Sequence, residues 1–135
     1  MSLLKSIHIG ATALVAQAKR LNVVSSNLAN AESVSGPDGK AYRAKHVYFQ
    51  TAPLAGEAAA GVEVASVVED QSPLRKVHRP GHPNADASGF VELPNVNPVE
   101  EMVDMISAAR SYQMNIEAMT TSRQLLLKTL DLGRS

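Results

Sequence analysis

The chain has 135 residues, is 44% hydrophobic but only 4% aromatic, contains no Cys or Trp, and balances 13 Lys and Arg against 13 Asp and Glu. Neutrality without long runs of one sign argues against a nucleic-acid or anionic-membrane surface. The missing cysteines remove disulfides, thiolate catalysis and most structural zinc sites. A core of this size, built from Ala, Val, Leu, Ile and Met, suits helix packing better than an aromatic ligand pocket.

The first element is a helix expected over about residues 3–30, roughly 42 Å long at 1.5 Å per residue. Ser2 is placed to cap it, and Leu4, Ile7, Ala11, Leu14, Ala18, Leu21, Ser25 and Leu28 recur at spacings of three and four. That is a heptad seam on one face. The segment after Lys5 also ends in Ala16-Gln17-Ala18, the form of a cleavable signal peptide. A signal peptide has no reason to keep phase beyond its cleavage site. Here the phase continues past Lys19-Arg20, so one uncleaved helix is expected. No stretch approaches the ~20 apolar residues that span a bilayer. The second half of this helix carries Ser25, Ser26, Asn27 and Asn30, poor helix formers whose amides and hydroxyls need partners when buried.

Residues 33–95 differ in character. They hold six of the seven prolines and six of the eight glycines, and their apolar residues alternate over short runs. "AYRAKHVYF", "GVEVASV" and "GFVEL" read as short strands, with Val62, Val64 and Ser66 on one face; "GPDGK" and "HRPGHP" read as turns. The result is a small, irregular β insertion. "GPDGK" lacks the glycine spacing, the Ser or Thr after Lys and the preceding strand of a phosphate-binding loop. His78 and His82 have helical zinc spacing, but Pro80-Gly81 between them forbids that helix. Glu69-Asp70 and the basic loop Arg75, Lys76, His78 and Arg79 read as a solvated surface or the rim of a protein contact.

The last element starts at Asn97, with Pro98 at the first helical position and Glu100 three residues after the cap. Met105, Ala109, Tyr112, Ile116, Met119, Arg123, Leu126 and Leu130 form its seam, and Gly133 marks the stop. Its expected length is about 50 Å. Two long seamed helices at the ends of a chain either pair as an intramolecular hairpin or take partners from other chains. Gln113, Asn115 and Thr120 on this helix, with the Ser and Asn cluster on the first, are suited to fixing register in an assembly.

"ALVAQAKRLNVVSSNLANAES" and "PNVNPVEEMVDMISAARSYQMNIEAM" resemble the N- and C-terminal signatures of the bacterial flagellar rod, hook and related axial proteins. "YRAKHVYF" and "VVEDQSPLRKVHRPGHPNADASGFVELPNVN" are similar to the proximal-rod members in particular, and the resemblance covers nearly the whole chain. Two departures stand out: Glu32-Ser33 where Thr is common, and His78-Arg79 where an aromatic and an acidic residue are common. The resemblance implies a mainly α protein in which residues 1–32 and 96–135 pair as a coiled-coil-like axial domain, with residues 33–95 as a β-rich segment outside it. It implies a non-catalytic subunit of the flagellar basal-body rod in the periplasmic space, polymerising into a hollow drive shaft that transmits torque. It also implies export by the flagellar type III apparatus without cleavage of a signal peptide. Its partners would be like chains and other rod subunits, the export apparatus, and ring and rod-base proteins, with no cofactor, metal, nucleic acid or small-molecule substrate. By position, Leu14, Leu21, Asn27, Leu28 and Asn30 would carry the N-terminal subunit contacts. Met102, Met105, Tyr112, Gln113, Asn115 and Ile116 would carry the C-terminal ones. The alternatives are a soluble helical adaptor or a periplasmic binding protein of fixed stoichiometry.

Overall fold

A computed structural model of the chain describes residues 2–36, 38–56 and 58–134. Met1 and Pro37, the latter within the expected "GPDGK" turn, lie outside the described residues.

Helix α1 spans Leu3–Ala29. Ser2 holds extended backbone, and its hydroxyl accepts from the Lys5 N–H at 3.4 Å. The helix runs unbroken through Ala16-Gln17-Ala18. It closes on Asn30, whose side-chain Nδ2 donates back to the Ser26 carbonyl at 2.9 Å. The same carbonyl accepts the Asn30 backbone N–H at 3.1 Å, so the side chain reinforces the last turn. Helix α2 spans Pro98–Leu132, about 52 Å. The Asn97 side chain accepts from the Val99 N–H at 3.1 Å, and Glu100 and Glu101 sit at the positive end of the helix dipole. Gly133 ends α2 with φ −76°, so it stops the helix without the left-handed turn that a terminal glycine often supplies.

The two helices pack antiparallel. Arg20 donates to the Asp104 carboxylate at 3.1 Å near one end, and Gly10 meets Met119 towards the other. A Cβ on Gly10 would stand 2.7 Å from Met119 Cγ, so the missing side chain is what lets the helices approach there.

The faces that α1 buries match the expected seam only at Gly10, about 20° around the helix from Leu21. Its buried residues are Gly10, Ala16, Val23, Val24 and Asn27, whereas Leu14, Leu21 and Leu28 are only half-buried and Leu4 is exposed. At 3.6 residues per turn, Leu21 lies about 140° around the helix from Ala16. The leucine seam therefore borders the groove between α1 and α2, which Ile7, Leu14, Ile116 and Met119 line.

Two small antiparallel ribbons fill the insertion. Strands β1 (Lys45–Pro53) and β2 (Ala60–Glu69) pair from Lys45 with Glu69 to Pro53 with Ala60, with a bulge opposite Tyr48 and Phe49. Val47 and Phe49 on β1 and Val62 and Val64 on β2 are the half-buried members of an alternating pattern. The ribbon sits on α1: the Thr12 hydroxyl accepts from the Val62 N–H at 3.1 Å and fills the space where Gly61 has no side chain. Strands β3 (Arg75–His78) and β4 (Phe90–Leu93) form the second ribbon. The segment expected as the basic loop Arg75 to His82 is thus a strand in its first half. Four residues with Val77 as the sole apolar member carry too little alternation to read in advance.

A small core lies where the ribbons meet the helices. Val91, Leu93, Pro94 and Val96 are fully buried on the path from β4 into α2, and Ala31, Ala44 and Val96 pack together against Tyr42.

Candidate assembly surface and its supporting junction

Asn27 organises the junction between α1 and the insertion. Its side chain is 1% exposed. Its Oδ1 accepts from the Lys45 N–H at 3.0 Å and from the Tyr42 hydroxyl at 2.9 Å, and its Nδ2 donates to the Lys45 carbonyl at 2.9 Å. The amide therefore pairs with both backbone groups of Lys45 as a neighbouring strand would. Ser26 shares the Tyr42 hydroxyl at 3.1 Å. Asn95 repeats the device on the other side, accepting from the Ala44 N–H at 2.8 Å and donating to the Asp70 carbonyl at 3.0 Å. Arg75 closes the knot. Its guanidinium donates to the Ala31 carbonyl at 2.8 Å and the Pro94 carbonyl at 3.1 Å, placing a cation just beyond the C-terminus of α1 where the dipole favours it. It also reaches Glu32 at 3.2 Å, so the departure at position 32 supplies this arginine with a partner.

Charges at the junction are tuned in opposite senses. Glu101 is 6% exposed. Burial pushes its carboxyl above the ordinary range, with Asp104 and Glu100 adding to the rise and the Asn27 amide and His46 opposing it. Asp70 is held low by the Ser72 backbone N–H at 2.8 Å, the Ser72 hydroxyl and His46 at 3.3 Å. Asp86 is held low chiefly by the Phe90 N–H at 2.9 Å in the turn that joins β3 to β4. Gly89 in the same turn has φ +81°, a conformation that other residues rarely adopt.

The remaining sequence-predicted contact residues are placed as follows. Leu14, Leu21, Leu28, Asn30, Met105, Tyr112 and Asn115 are half-buried, and Met102, Gln113 and Ile116 are exposed. The Asn115 amide donates to the Ser111 carbonyl of its own helix at 2.8 Å. Asn27, Ser26 and Asn30 thus find polar partners within their own chain. Sequence periodicity also passed over Val99, Val103, Ile106, Met114, Leu125 and Leu127, which are exposed on α2. Their signal was composition: large apolar residues outside the seam positions, with Val99, Val103, Met114 and Leu125 on the far side of the helix and Leu127 beside the seam.

His78 lies edge-on to Phe90, with ring centroids 5.0 Å apart, and the His82 ring accepts from the Asn84 N–H. Among the described residues no group of three or more His, Asp or Glu is arranged to hold a metal ion. No helix of the described residues is long and apolar enough to cross a membrane. Polar depressions such as the one of about 730 Å³ beside Lys40, Arg43, Glu69 and Glu92 stand open to solvent with both signs of charge on their walls.

In the described residues sixteen large hydrophobic side chains are exposed, ten of them on α2, against nine buried hydrophobic residues. A single copy leaves most of its apolar helix surface uncovered, which defines a subunit of a larger assembly. The comparisons with known proteins agree. The family model described as "Flagella basal body rod protein" matches residues 7–37, and "Flagellar basal body rod FlgEFG protein C-terminal" matches residues 87–132. The flagellar basal-body rod protein FlgC of Salmonella typhimurium is 56% identical over 99% of this chain and 100% of its own length. FlgC of Escherichia coli O157:H7 is 54% identical over the same shares, and FlgC of Bacillus subtilis 38% identical over 99% and 100%. The chain belongs to the FlgC family of flagellar basal-body rod proteins. It is a structural subunit of the basal body and not an enzyme. Full-length likeness to rod proteins also disfavours the adaptor and periplasmic binding readings.

Proposed function

We propose that this subunit polymerises through α1 and α2 into the proximal part of a hollow rod that crosses the periplasm and carries torque. In this reading residues 1–32 and 96–135 form one axial domain with coiled-coil-like packing, and residues 33–95 lie outside it. Leu14, Leu21, Leu28, Met102, Met105, Tyr112, Gln113, Asn115 and Ile116 meet neighbouring subunits. Asn27 and Asn30 act one step removed, by fixing the exit of α1 from which the insertion hangs. The observation that carries the reading is the uncovered apolar surface of α2, of whose 35 residues only Glu101 and Ala108 are buried. Like chains and other rod subunits are the partners that surface requires, with ring and rod-base proteins at the ends of the shaft.

The chain reaches the rod through the flagellar export apparatus with its N-terminus intact. Support comes from α1, which is one packed helix across Ala16-Gln17-Ala18, with Ala16 buried and Arg20 paired to Asp104. The intact mass of the chain in purified hook-basal bodies tests both parts. The expected result is incorporation with residues 1–18 attached. A soluble form starting at Lys19, absent from the particles, would overturn the reading.

A further inference from the structure

We propose that β2 of one copy of this chain and β3 of a second copy pair edge to edge, antiparallel, and join their ribbons into one four-stranded sheet. The inference rests on the polymerising reading above and adds to it a contact outside the helices. Backbone hydrogen bonds show which edges are open. In the first ribbon the Asp70 N–H donates to the Ala44 carbonyl at 2.7 Å. By the alternation of an antiparallel ladder, Lys45 and Val47 on β1 and Val67 and Glu69 on β2 then turn their N–H and C=O groups outward. Asn27 takes both groups of Lys45, which closes the start of β1. On β2 Thr12 takes the Val62 N–H, but every residue from Ala65 to Glu69 is exposed. Among the described residues that stretch of outer edge meets only the exposed Gln71 amide, on the Glu69 carbonyl. The chain also leaves β2 away from this edge, because Arg43 and Asn95 hold the Asp70 and Ser72 carbonyls. In the second ribbon the Arg79 N–H donates to the Gly89 carbonyl at 2.8 Å, so Lys76 and His78 on β3 and Phe90 and Glu92 on β4 face outward. Asp86 closes β4 at Phe90 with its own N–H and its carboxylate. The outward backbone groups of Lys76 and His78 have no hydrogen bond among the described residues. Edges left open in this way accept an added strand.

Charge and phase select the match. β2 carries Glu63 and Glu69 and no cation, whereas β3 carries Arg75, Lys76 and His78 and no anion. Two like edges would set acid beside acid or base beside base, so unlike edges pair. With Glu69 opposite Lys76, Val67 falls opposite His78, and the outward residues of the two strands coincide. One row across the joined sheet then reads Lys45, Glu69, Lys76, Glu92, alternating in sign, and the next reads Val47, Val67, His78, Phe90. Asp70 falls opposite Arg75, Val68 opposite Val77 and Ser66 opposite Arg79, so no like charges meet at the new boundary. Glu32, which holds Arg75, and Asp86, which lies near Lys76, remain contacts within one copy. Val67 shares the face of Val47 that turns towards α1, while Lys76 and His78 lie on the face of β3 opposite the buried Val91 and Leu93. The helical bodies of the two copies therefore fall on opposite sides of the sheet. Because the two edges lie on different parts of one chain, each copy both gives and receives. Such a heterologous contact propagates as an open series.

The chain has no cysteine, so introduced thiols report this contact alone. In the assigned register Ser66 and Arg79 form a non-hydrogen-bonded pair, about 4.5 Å between Cα atoms and within disulfide reach. Two chains, one carrying Ser66→Cys and the other Arg79→Cys, are co-expressed in cells lacking the native subunit, and isolated rods are oxidised mildly. A 66–79 cross-linked dimer is expected, with none when Ala55→Cys, at the far end of the first ribbon, replaces Ser66→Cys. Rods that contain both chains but yield no such dimer would overturn the pairing while leaving the rod reading intact. Rods that contain neither chain, nor the wild-type chain, would overturn both. Val67→Pro decides the matter where the cysteine chains fail to enter rods that the wild-type chain enters. Proline is tolerated in an edge strand where the N–H it removes points outward, so the unfolding midpoint should stay at the wild-type value. Incorporation into rods should fall about fivefold, the effect of one net hydrogen bond. Wild-type incorporation would sink the pairing, and a lowered midpoint would show that the Val67 N–H serves the chain's own fold and that the edge is not open.

Discussion

Where α1 ends and α2 begins, Asn27, Glu101, Leu93 and Val96 are each buried beneath two ribbons and a net of side-chain-to-backbone hydrogen bonds. Where α1 begins and α2 ends, the same two helices show Leu4, Leu125, Leu127 and Leu130 at least half exposed. One helix pair thus carries a core at one end and none at the other, while the outer face of α2 exposes large apolar side chains at both, Val99, Met102, Val103 and Ile106 included. The contrast shows how one chain can be folded enough to present its insertion and still be incomplete. The buried side chains are concentrated at the junction.

The largest expected effect separates the two ends outright. Leu93 is 2% exposed, and Leu93→Ala should cost about 3 kcal/mol of unfolding free energy through lost burial and the cavity left behind. Leu127→Ala, at a residue 51% exposed, should change stability by less than about 0.5 kcal/mol while impairing rod formation and swimming. Urea unfolding and a motility assay on both variants check the pair. Equal stability losses would erase the contrast. Asn27→Ala comes next, at about 2 kcal/mol, because the Lys45 N–H and carbonyl both lose their partner in a buried setting. Amide exchange at Lys45 should speed up more than at Val99, and unchanged protection there would show that the amide holds nothing. Gly61→Ala follows, at about 1–2 kcal/mol: its Cβ would lie 2.6 Å from the Thr12 hydroxyl and push it off the Val62 N–H. Thr12→Ser in the same chain should recover part of that loss if the crowding comes from the methyl group, 3.1 Å from the same Cβ.

Both helices and the β character of the middle were readable because each rests on a local rule. Ser2 and Asn97 cap where such residues cap, and alternation marked β1, β2 and β4. The buried face of α1 was not readable in the same way. Heptad spacing selects Leu14, Leu21 and Leu28, but the chain buries Gly10, where Met119 of α2 comes close, and Ala16, Val23 and Asn27 on a second face. Asn27 stands out in the sequence as a poor helix former inside a helix. Its partners within the chain, Tyr42 and Lys45, are 15 and 18 residues away and are set by tertiary structure alone. The departure His78 keeps an aromatic contact through its ring on Phe90, a pairing that depends on the β3–β4 register.

The smallest expected effect tests whether the junction is complete in the single copy. Burial raises the Glu101 carboxyl above its ordinary value of 4.5, so the folded state holds that proton more tightly than the unfolded chain. Its favourable contribution is fully present below pH 4.5 and is lost as pH rises through the folded value. Asp70 and Asp86, held below 3.8, act in the other direction: their contribution is present above 3.8 and lost as pH falls. Glu101→Gln keeps the shape of the protonated acid, so it should raise the unfolding temperature at pH 7, by less than about 1 kcal/mol in free energy. That gain should vanish below pH 4.5. Asp86→Asn should instead be neutral in strong acid and destabilising at pH 7, since it removes the charge that the Phe90 N–H binds. If Glu101→Gln proved destabilising at pH 7, the carboxylate would be a bound partner inside the junction and not a cost carried there. The fixed end of the molecule would then hold a carboxylate through the hydrogen bond of the Asn27 amide and the charge of His46.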